Sequence, residues 1–263
     1  MSVIHRTFCM FKAKKSLGQN FLVNQGVLDK IVTAAELDKN DTVLEIGPGI
    51  GTLTEKLASV ADRVIAVEKD RRLIEGLKDK FKNSNIEIIE ADILKLDISS
   101  LFRNLKLEIR NSDYKVVGNI PYYVTSNLLR KIFENWPRPE LIVLMVQKEV
   151  AQRITARPGD MNLLALSVQF YAEPKIISYV SRGSFRPMPK VDSALLRIKL
   201  RRAQQSKEMA QRFFKLIKTA FAGKRKQLKN TIGSEVLKNT GIKSESRPEE
   251  LSLDDWIRVA SGI

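Results

Sequence analysis

The chain has 263 residues, of which 43% are hydrophobic and 29% are charged, and its formal net charge is +15. This composition is typical of a soluble globular protein with one large and one small domain, and it excludes a disordered or fibrous chain. A single cysteine, Cys9, excludes an internal disulfide and a thiolate metal cluster. A single histidine, His5, argues against histidine catalysis, and we expect no bound metal. No apolar run is long enough to span a membrane and no secretory signal is visible, so we expect a cytoplasmic protein that makes no membrane contact.

The positive charge is concentrated in two stretches. Residues 1–20 carry four basic side chains and no acidic one, and residues 199–230 carry eleven basic side chains against Glu208 alone. Contacts to a phosphate backbone require localised charge of this kind, so the pattern favours a polyanionic partner. A solvated basic surface is one alternative. An anionic membrane surface is another, but Phe213 and Ile217 recur at helical spacing here and are expected to pack in a core.

The first two-thirds of the chain alternate between strand-like and helix-like segments. Strands are predicted at 42–46, 63–67, 86–89, 114–117 and 141–146, with helices at 52–59, 73–81, 128–132 and from about 148. This alternation predicts an α/β fold, a mostly parallel sheet with helices on both faces.

The last two predicted strands, 175–180 and 193–200, have no long helix between them and predict an antiparallel edge. Beyond Leu200 the pattern is helical, so we predict two domains, residues 1–200 and 201–263. The last helix is expected after Ser252, capped by Asp255.

A glycine-rich turn follows the first of these strands. It has the spacing Gly47-Pro-Gly49-Ile-Gly51, whereas a dinucleotide fingerprint needs one more residue before its third glycine. Glycines at a strand-to-helix turn allow the backbone to approach a nucleotide-like ligand. Glu68 ends the second strand and is suited to bind ribose hydroxyls, and Asp92 follows the third and is suited to bind an adenine amino group. These features do not by themselves distinguish a nicotinamide site from an adenosyl-methionine site.

The fourth strand ends in the tetrad Asn119-Ile-Pro-Tyr122. An exocyclic amine such as adenine N6 is a poor nucleophile because its lone pair is delocalised into the ring. Two acceptors, the Asn119 side-chain oxygen and the Ile120 carbonyl, would favour a localised lone pair, and Pro121 would fix the turn. Tyr122 would stack on the extruded base. The methylated nitrogen is acidic, so no dedicated base is required.

The chain resembles the KsgA-type (RsmA) ribosomal RNA adenine dimethyltransferases and, more distantly, the Erm methyltransferases. The resemblance runs from Lys14 to about Leu200, with a weaker match in the basic tail. It rests on the segments KKSLGQNFL (14–22), EIGPGIGTLT (45–54), NIPY (119–122), MVQKEV (145–150) and FRPMPKVDS (185–193). It implies a class I S-adenosylmethionine-dependent methyltransferase fold, Rossmann-like and with a seven-stranded sheet.

The resemblance also implies a reaction and a set of site residues. The donor would be S-adenosyl-L-methionine and the product N6,N6-dimethyladenine at two adjacent adenines near the 3′ end of 16S rRNA, in the small ribosomal subunit or its precursor, with a role in ribosome biogenesis. Asn20 and Leu22 would line the donor pocket, Gly47 would contact the methionine portion, and Gly49 would also bind the donor. Glu68 would bind the ribose, Asp92 the adenine, and Asn119 would lie between donor and target amine. Tyr122 and Phe185 would sandwich the base, with Phe185 in a rigid exposed loop.

The enzyme is expected to act as a monomer and to hold rRNA phosphates through basic residues. The residues assigned this role are Lys14, Lys15, Arg201, Arg202, Lys224, Arg225 and Lys226.

Three positions depart from the pattern common in these enzymes. Tyr123 stands where some members have Asn, Met188 replaces a proline, and Ile120 replaces a frequent Leu. Three alternative functions stay open at this point: a dehydrogenase, a mainly non-catalytic RNA-binding assembly factor, and an Erm-type enzyme acting on large-subunit RNA. The segment beginning at Met145 and the long basic tail favour the KsgA-type enzymes over the Erm enzymes.

Overall fold

The computed structural model describes residues 13–14, 18–107, 113–121, 124–201, 205–223, 225–238 and 240–262. Seven residues discussed above lie outside these ranges: His5, Cys9, Lys15, Tyr122, Tyr123, Arg202 and Lys224. No helix within the described ranges is both long and apolar enough to cross a membrane.

The chain divides into two compact units. The first comprises Met1–Ala151 and Lys175–Lys199, and the second comprises Gln152–Pro174 and Leu200–Ile263. A boundary therefore lies close to residue 200, but residues 152–174, which the sequence analysis placed in the first domain, group with the C-terminal helices. The reason is hydrophobic packing, since the ring of Phe170 in this segment stacks on Phe213 with a centroid separation of 4.3 Å.

A seven-stranded sheet forms the framework of the first unit, with a small two-stranded sheet beside it. The strands are β1 Phe21–Leu22, β2 Thr42–Ile46, β3 Arg63–Glu68, β4 Ile86–Glu90, β5 Tyr114–Asn119, β6 Leu141–Gln147, β7 Ala172–Val180, β8 Phe185–Arg186 and β9 Ser193–Leu200. The large sheet has the order β4-β3-β2-β5-β6-β9-β7, is parallel from β4 to β6, and has β9 antiparallel to β6. The predicted parallel sheet with an antiparallel edge is confirmed.

Helices connect the strands and make up most of the C-terminal part. They are α1 Gln25–Ala34, α2 Thr52–Ala58, α3 Arg71–Lys80, α4 Ile98–Asn104, α5 Thr125–Asn135, α6 Lys148–Ile154, α7 Leu163–Gln169, α8 Lys207–Ala222, α9 Ser234–Leu237 and α10 Leu253–Ser261. The capping box predicted for the last helix is present, with Ser252 and Asp255 each accepting a hydrogen bond from the other's main-chain N–H. The sequence analysis did not predict α1, α4 or α7.

The register of the parallel strands determines where the predicted site residues lie. Ile46 at the end of β2 pairs with Val67 on β3 and with Gly118 on β5. β2, β3, β5 and β6 are buried on both faces, which explains their nearly continuous apolar sequences, whereas the edge strand β4 is only partly buried. Because the carboxyl ends of parallel strands meet at one edge, the residues that follow β2, β3, β4 and β5 face a common cleft.

The second unit has its own apolar core. The stripe predicted on the basic helix is buried there, with Phe213 and Ile217 fully inaccessible and Phe221 packed beside Trp256. The charged residues of α8 are therefore left on its outer surface.

Candidate active site

A cleft opens at the carboxyl edge of the sheet. Its walls come from the segment 18–22, the glycine-rich turn, the ends of β3 and β5, and the turn after β4. Eight of the predicted site residues line it: Asn20, Leu22, Gly47, Gly49, Glu68, Asp92, Asn119 and Pro121.

The glycine-rich turn lies against this cleft in a left-handed conformation. Gly47 and Gly49 have φ of +71° and +59°, a region that side chains disfavour. A Cβ atom on Gly49 would also lie 2.9 Å from the ring of Phe21. The turn therefore needs glycine both for its backbone angles and for the close packing of the N-terminal segment above it.

Glu68 is held in place by the backbone around it. Its Oε2 accepts a hydrogen bond from the Gly49 N–H at 3.1 Å, and its Oε1 accepts from the N–H groups of Lys69 and Asp70 at 2.8 Å each. Burial raises the pKa of Glu68, and these three hydrogen bonds oppose that rise. An oriented carboxylate with Oε2 bound to a single protein donor retains a lone pair for a ligand hydroxyl.

Asp92 lies at the cleft wall beside Lys69. Lys69 Nζ is 2.8 Å from Asp92 Oδ2, and the Leu94 N–H donates to Oδ1 at 3.0 Å. Burial works against the charged form of Asp92, but the hydrogen bonds from Lys69 and Leu94 outweigh it and lower the pKa. Asp92 is therefore an ionised acceptor.

Glu45 is a third carboxyl group of the cleft, and sequence reasoning gave it no role. It is 1% exposed, and its oxygens have no hydrogen-bond partner among the described residues. Burial, with a smaller contribution from the Glu68 carboxylate, raises the pKa of Glu45 to about 8. Glu45 is thus mainly protonated at pH 7, in the same cleft as the ionised Asp92.

Asn119 ends β5 and is oriented by the N-terminal segment. Its Nδ2 donates a hydrogen bond to the main-chain carbonyl of Asn20 at 2.9 Å. This bond uses one of the two amide N–H groups and fixes the orientation of the amide, and Asn119 Oδ1 is left to accept a hydrogen bond from a ligand.

The N-terminal segment is itself attached to the cleft on both sides of Asn20. Gln19 Nε2 donates to Asp70 Oδ2 at 2.8 Å, and Thr52 Oγ1 donates to the Leu22 carbonyl at 3.1 Å. The hydrogen bonds from Arg72, above all, lower the pKa of Asp70 to about 2, so Asp70 is an ionised acceptor for Gln19. These contacts hold the Asn20 carbonyl in the position where it accepts the hydrogen bond from Asn119 Nδ2.

Phe185 does not lie in an exposed loop, and that expectation is wrong. It begins the short strand β8, where it pairs with Leu22 of β1, and its side chain is completely buried in the core around Leu22. It is not among the residues that line the cleft. The sequence suggested exposure because Arg186 and two prolines follow Phe185. Of these neighbours, Arg186 and Pro187 are indeed exposed.

The basic residues assigned to RNA differ in their availability. Lys14, Arg225 and Lys226 are exposed. Arg201, in contrast, donates through Nε to the Gln169 carbonyl at 2.9 Å and pairs with Glu173 at 3.2 Å. The structure thus gives Arg201 a local packing role that its position in a basic run did not indicate.

Gln19, Thr52 and Asp70 are the residues that sequence reasoning missed in this network. Each stands beside a residue that it did select: Gln19 precedes Asn20, Thr52 follows the glycine turn, and Asp70 follows Glu68 by two positions. Short polar side chains flanking ligand-binding positions were the available signal. Their partners are 30 to 51 positions away in sequence, so the pairing itself needed the fold.

The sheet order with a reversed β9, together with this cleft at the carboxyl edge, defines a class I S-adenosylmethionine-dependent methyltransferase. Among solved structures, the chain is similar to the 23S rRNA methyltransferase ErmE (27% identity, 92% of this chain and 99% of that one, TM-score 0.76). It is also similar to a dimethyladenosine transferase from Plasmodium falciparum (28% identity, 91% and 95% coverage, TM-score 0.75).

The sequence comparisons define the family more closely. Residues 10–263 match the model of the ribosomal RNA adenine dimethylases. The chain is 43% identical to ribosomal RNA small subunit methyltransferase A of Dehalococcoides mccartyi, over 93% of its own length and 86% of that protein's. The chain belongs to the ribosomal RNA adenine dimethylase family, and it is an enzyme that transfers methyl groups from S-adenosylmethionine to adenine in ribosomal RNA. A dehydrogenase and a merely non-catalytic scaffold are thereby excluded.

Proposed function

We propose that this enzyme dimethylates N6 of two adjacent adenines near the 3′ end of 16S rRNA, in the small ribosomal subunit or its precursor. The observation that supports this most directly is the hydrogen bond between Asn119 Nδ2 and the Asn20 carbonyl, because it leaves Asn119 Oδ1 free to accept from an exocyclic amine. The identity of 43% to a protein named for the small subunit, against 27% to ErmE, favours small-subunit over large-subunit RNA.

The cleft suits S-adenosylmethionine as the donor. The glycine turn brings main chain without a side chain to the cleft at Gly47 and Gly49, and Glu68 offers a fixed carboxylate for ribose hydroxyls. Asp92 offers an ionised acceptor for an adenine amino group, with Asn20 and Leu22 forming the opposite wall. When bound, the donor supplies an electrophilic methyl group on its sulfonium sulfur.

The residues of the chain act mainly on the target amine. Asn119 Oδ1 and the carbonyl of Ile120 accept its two N–H groups and favour a lone pair localised on nitrogen, while Pro121 fixes the turn that carries both acceptors. The nitrogen that has gained a methyl group loses a proton to water, so the site needs no dedicated base. The assignments of Tyr122 and of Phe185 to the two faces of the base remain part of this proposal, and Phe185 would have to be uncovered to take that position.

In this proposal the rRNA phosphates are bound by the exposed residues Lys14, Arg225 and Lys226, together with Lys15, Arg202 and Lys224. Arg201 contributes only if its ion pair with Glu173 breaks. We propose that the enzyme works as a monomer in the cytoplasm, with no metal and no membrane contact. Its net charge of +15 fits an RNA partner.

The deciding experiment is mass spectrometry of rRNA fragments after undermethylated small subunits are incubated with enzyme and donor. We expect a mass gain corresponding to four methyl groups on one fragment near the 3′ end of 16S rRNA. Large subunits treated in parallel serve as the control, and methylation confined to them would replace this proposal with an Erm-type function.

A further inference from the structure

A basic surface lies on the first unit outside the residues that line the cleft, and we call it the Tyr179 patch. It consists of Lys148, Tyr179, Arg182, Arg186 and Lys190. None of these residues was assigned a role from the sequence or by the proposed function above.

Hydrogen bonds bring the patch together from three parts of the chain. Asp192 accepts from the Arg182 N–H through Oδ1 at 3.0 Å, and its main-chain carbonyl accepts from the Lys148 N–H at 3.0 Å. Lys148 Nζ lies 5.3 Å from the centre of the Tyr179 ring. The Arg186 guanidinium donates to the carbonyls of Gly183 and Phe185, at 3.0 and 2.8 Å, which holds it over the same turn. These side chains therefore form one surface.

The patch is available to a partner. Tyr179 is 55% exposed, and Arg182, Arg186 and Lys190 are exposed and form no ion pair with any described residue. The acidic side chains nearby in sequence are Glu149 and Asp192. Single-stranded nucleic acid binds to surfaces of this kind, because its phosphates contact cationic side chains that have no acidic partner and a base stacks on the exposed ring.

The register places this surface at the edge of the sheet that carries the active site. Asn119 at the end of β5 pairs with Met145 on β6, and Lys148 follows three residues later. Arg186 on β8 pairs with Phe21, a residue of the cleft wall. The cleft and the Tyr179 patch therefore lie at the same edge of the sheet, where β5 and β6 end and β9 begins.

We propose that the Tyr179 patch binds the single-stranded RNA next to the target adenines, with one base stacked on Tyr179 and phosphates on Arg182, Arg186 and Lys190. This inference rests on the enzyme's action on ribosomal RNA and adds to it the path of the RNA on the first unit. The occupant is RNA rather than a ribosomal protein, because the cations outnumber the apolar groups that a protein interface would bury.

The test measures binding of the full chain to a fluorescein-labelled single-stranded RNA of about 12 nucleotides with two adjacent adenines. Anisotropy is recorded at several salt concentrations for the parent and for R182A/R186A/K190A. We expect the slope of log K against log salt to fall by about 2, because each lost phosphate contact on a single strand contributes about 0.7. Y179A is expected to weaken binding about tenfold, and Y179F to leave it unchanged, because stacking uses the ring face.

The matched control is K30A/K39A/K82A, which removes three exposed lysines of the same unit from outside the patch. Lys39 and Lys82 precede β2 and β4, at the opposite edge of the sheet. This control is expected to keep the salt slope within about half a unit of the parent's. A second variant, R182E/K190E, leaves the Arg186 contacts intact and is expected to weaken binding more than the alanine triple does.

Two outcomes would overturn the proposal. If the patch triple binds this RNA with the parent's slope and binds small subunits as tightly as the parent, the patch is a solvated surface. If naked RNA binding is unchanged while small-subunit binding falls, its partner is a ribosomal protein. Neither outcome touches the proposed function, which is decided separately by whether the parent methylates 16S rRNA.

Discussion

The side-chain amide of Asn119 donates a hydrogen bond to the main-chain carbonyl of Asn20 at 2.9 Å, across 99 positions of sequence. The end of the fourth parallel strand is thereby joined to the N-terminal segment that closes the cleft. The bond fixes which atom of the amide is left for the substrate. Positioning of the reacting amine therefore depends on residues that hold the segment 18–22 in place.

Gln19 is the first of these positioning residues. Gln19→Ala removes the hydrogen bond to Asp70 at 2.8 Å and frees the backbone just before Asn20. We expect kcat to fall about tenfold or more with a smaller change in KM for RNA, since a small misplacement of a reacting group is costly. Steady-state kinetics on undermethylated small subunits measures both constants.

The control is Gln25→Ala, an exposed glutamine on α1, which is expected to match the parent. Gln19→Glu places a carboxylate beside that of Asp70, and we expect it to lower kcat further than Gln19→Ala does. If Gln19→Ala keeps the parent's kcat, the contact with Asp70 is not needed to position Asn119.

Glu68 is predicted to bind the donor ribose. Glu68→Ala should weaken donor binding by roughly 1–3 kcal/mol, the cost of losing charge-assisted hydrogen bonds. The substitution also removes the acceptor for the Gly49 N–H, so the loss includes some loosening of the glycine turn. Titration calorimetry with the donor measures the effect. The control is Glu90→Ala, at the position of β4 that pairs with Glu68, and this variant should bind the donor as the parent does. If Glu68→Ala binds the donor as tightly as this control, Glu68 does not bind the ribose.

Glu45 predicts a specific dependence of stability on pH. Its pKa is about 8 in the folded chain and ordinary in the unfolded chain, so the folded state binds more protons between about pH 4.5 and 8. Stability should therefore fall as the pH rises through this range. Glu45→Gln cannot ionise, and it should be more stable than the parent by about 1–3 kcal/mol at pH 8 and nearly equal to it at pH 4.5. Urea unfolding at several pH values measures the difference, and a difference that is constant with pH would mean that Glu45 is ionised in the folded protein.

The basic run of the second unit should contribute to RNA affinity without affecting the donor. Neutralising Lys224, Arg225 and Lys226 together should lower the salt slope of RNA binding by up to about 2–3. Donor affinity serves as the internal control and should not change. A variant with the parent's slope would show that these three side chains are solvated and do not contact RNA phosphates.

The seven strands of the large sheet and the residues at the carboxyl ends of the parallel ones were predictable because apolar runs and turn residues are local signals. Gly47 and Asp92 follow strands, Glu68 and Asn119 end strands, and parallel pairing then brings all four to one edge. The resemblance to a known family added the reaction and the donor, which no local pattern could supply.

What the sequence did not reveal depends on contacts between distant segments. The burial of Phe185 follows from its pairing with Leu22, which lies 163 positions earlier and forms a two-residue strand too short to show a pattern. The packing of residues 152–174 with α8 needed the ring contact between Phe170 and Phe213. The role of Arg201 depends on Gln169 and Glu173, which lie about 30 positions away.

The measurement that tests the account most directly is single-turnover methyl transfer by Asn119→Ala on undermethylated small subunits. Donor and RNA affinities should remain close to the parent's, because Asn119 acts on the reacting amine. The rate should fall by roughly 10²–10³, the usual cost of losing one preorganised polar group at a reacting centre. Asn135→Ala, an exposed asparagine at the end of α5, is the matched control and should react at the parent's rate. If Asn119→Ala also methylates at the parent's rate, its hydrogen bond to Asn20 is structural and the proposed mechanism is wrong.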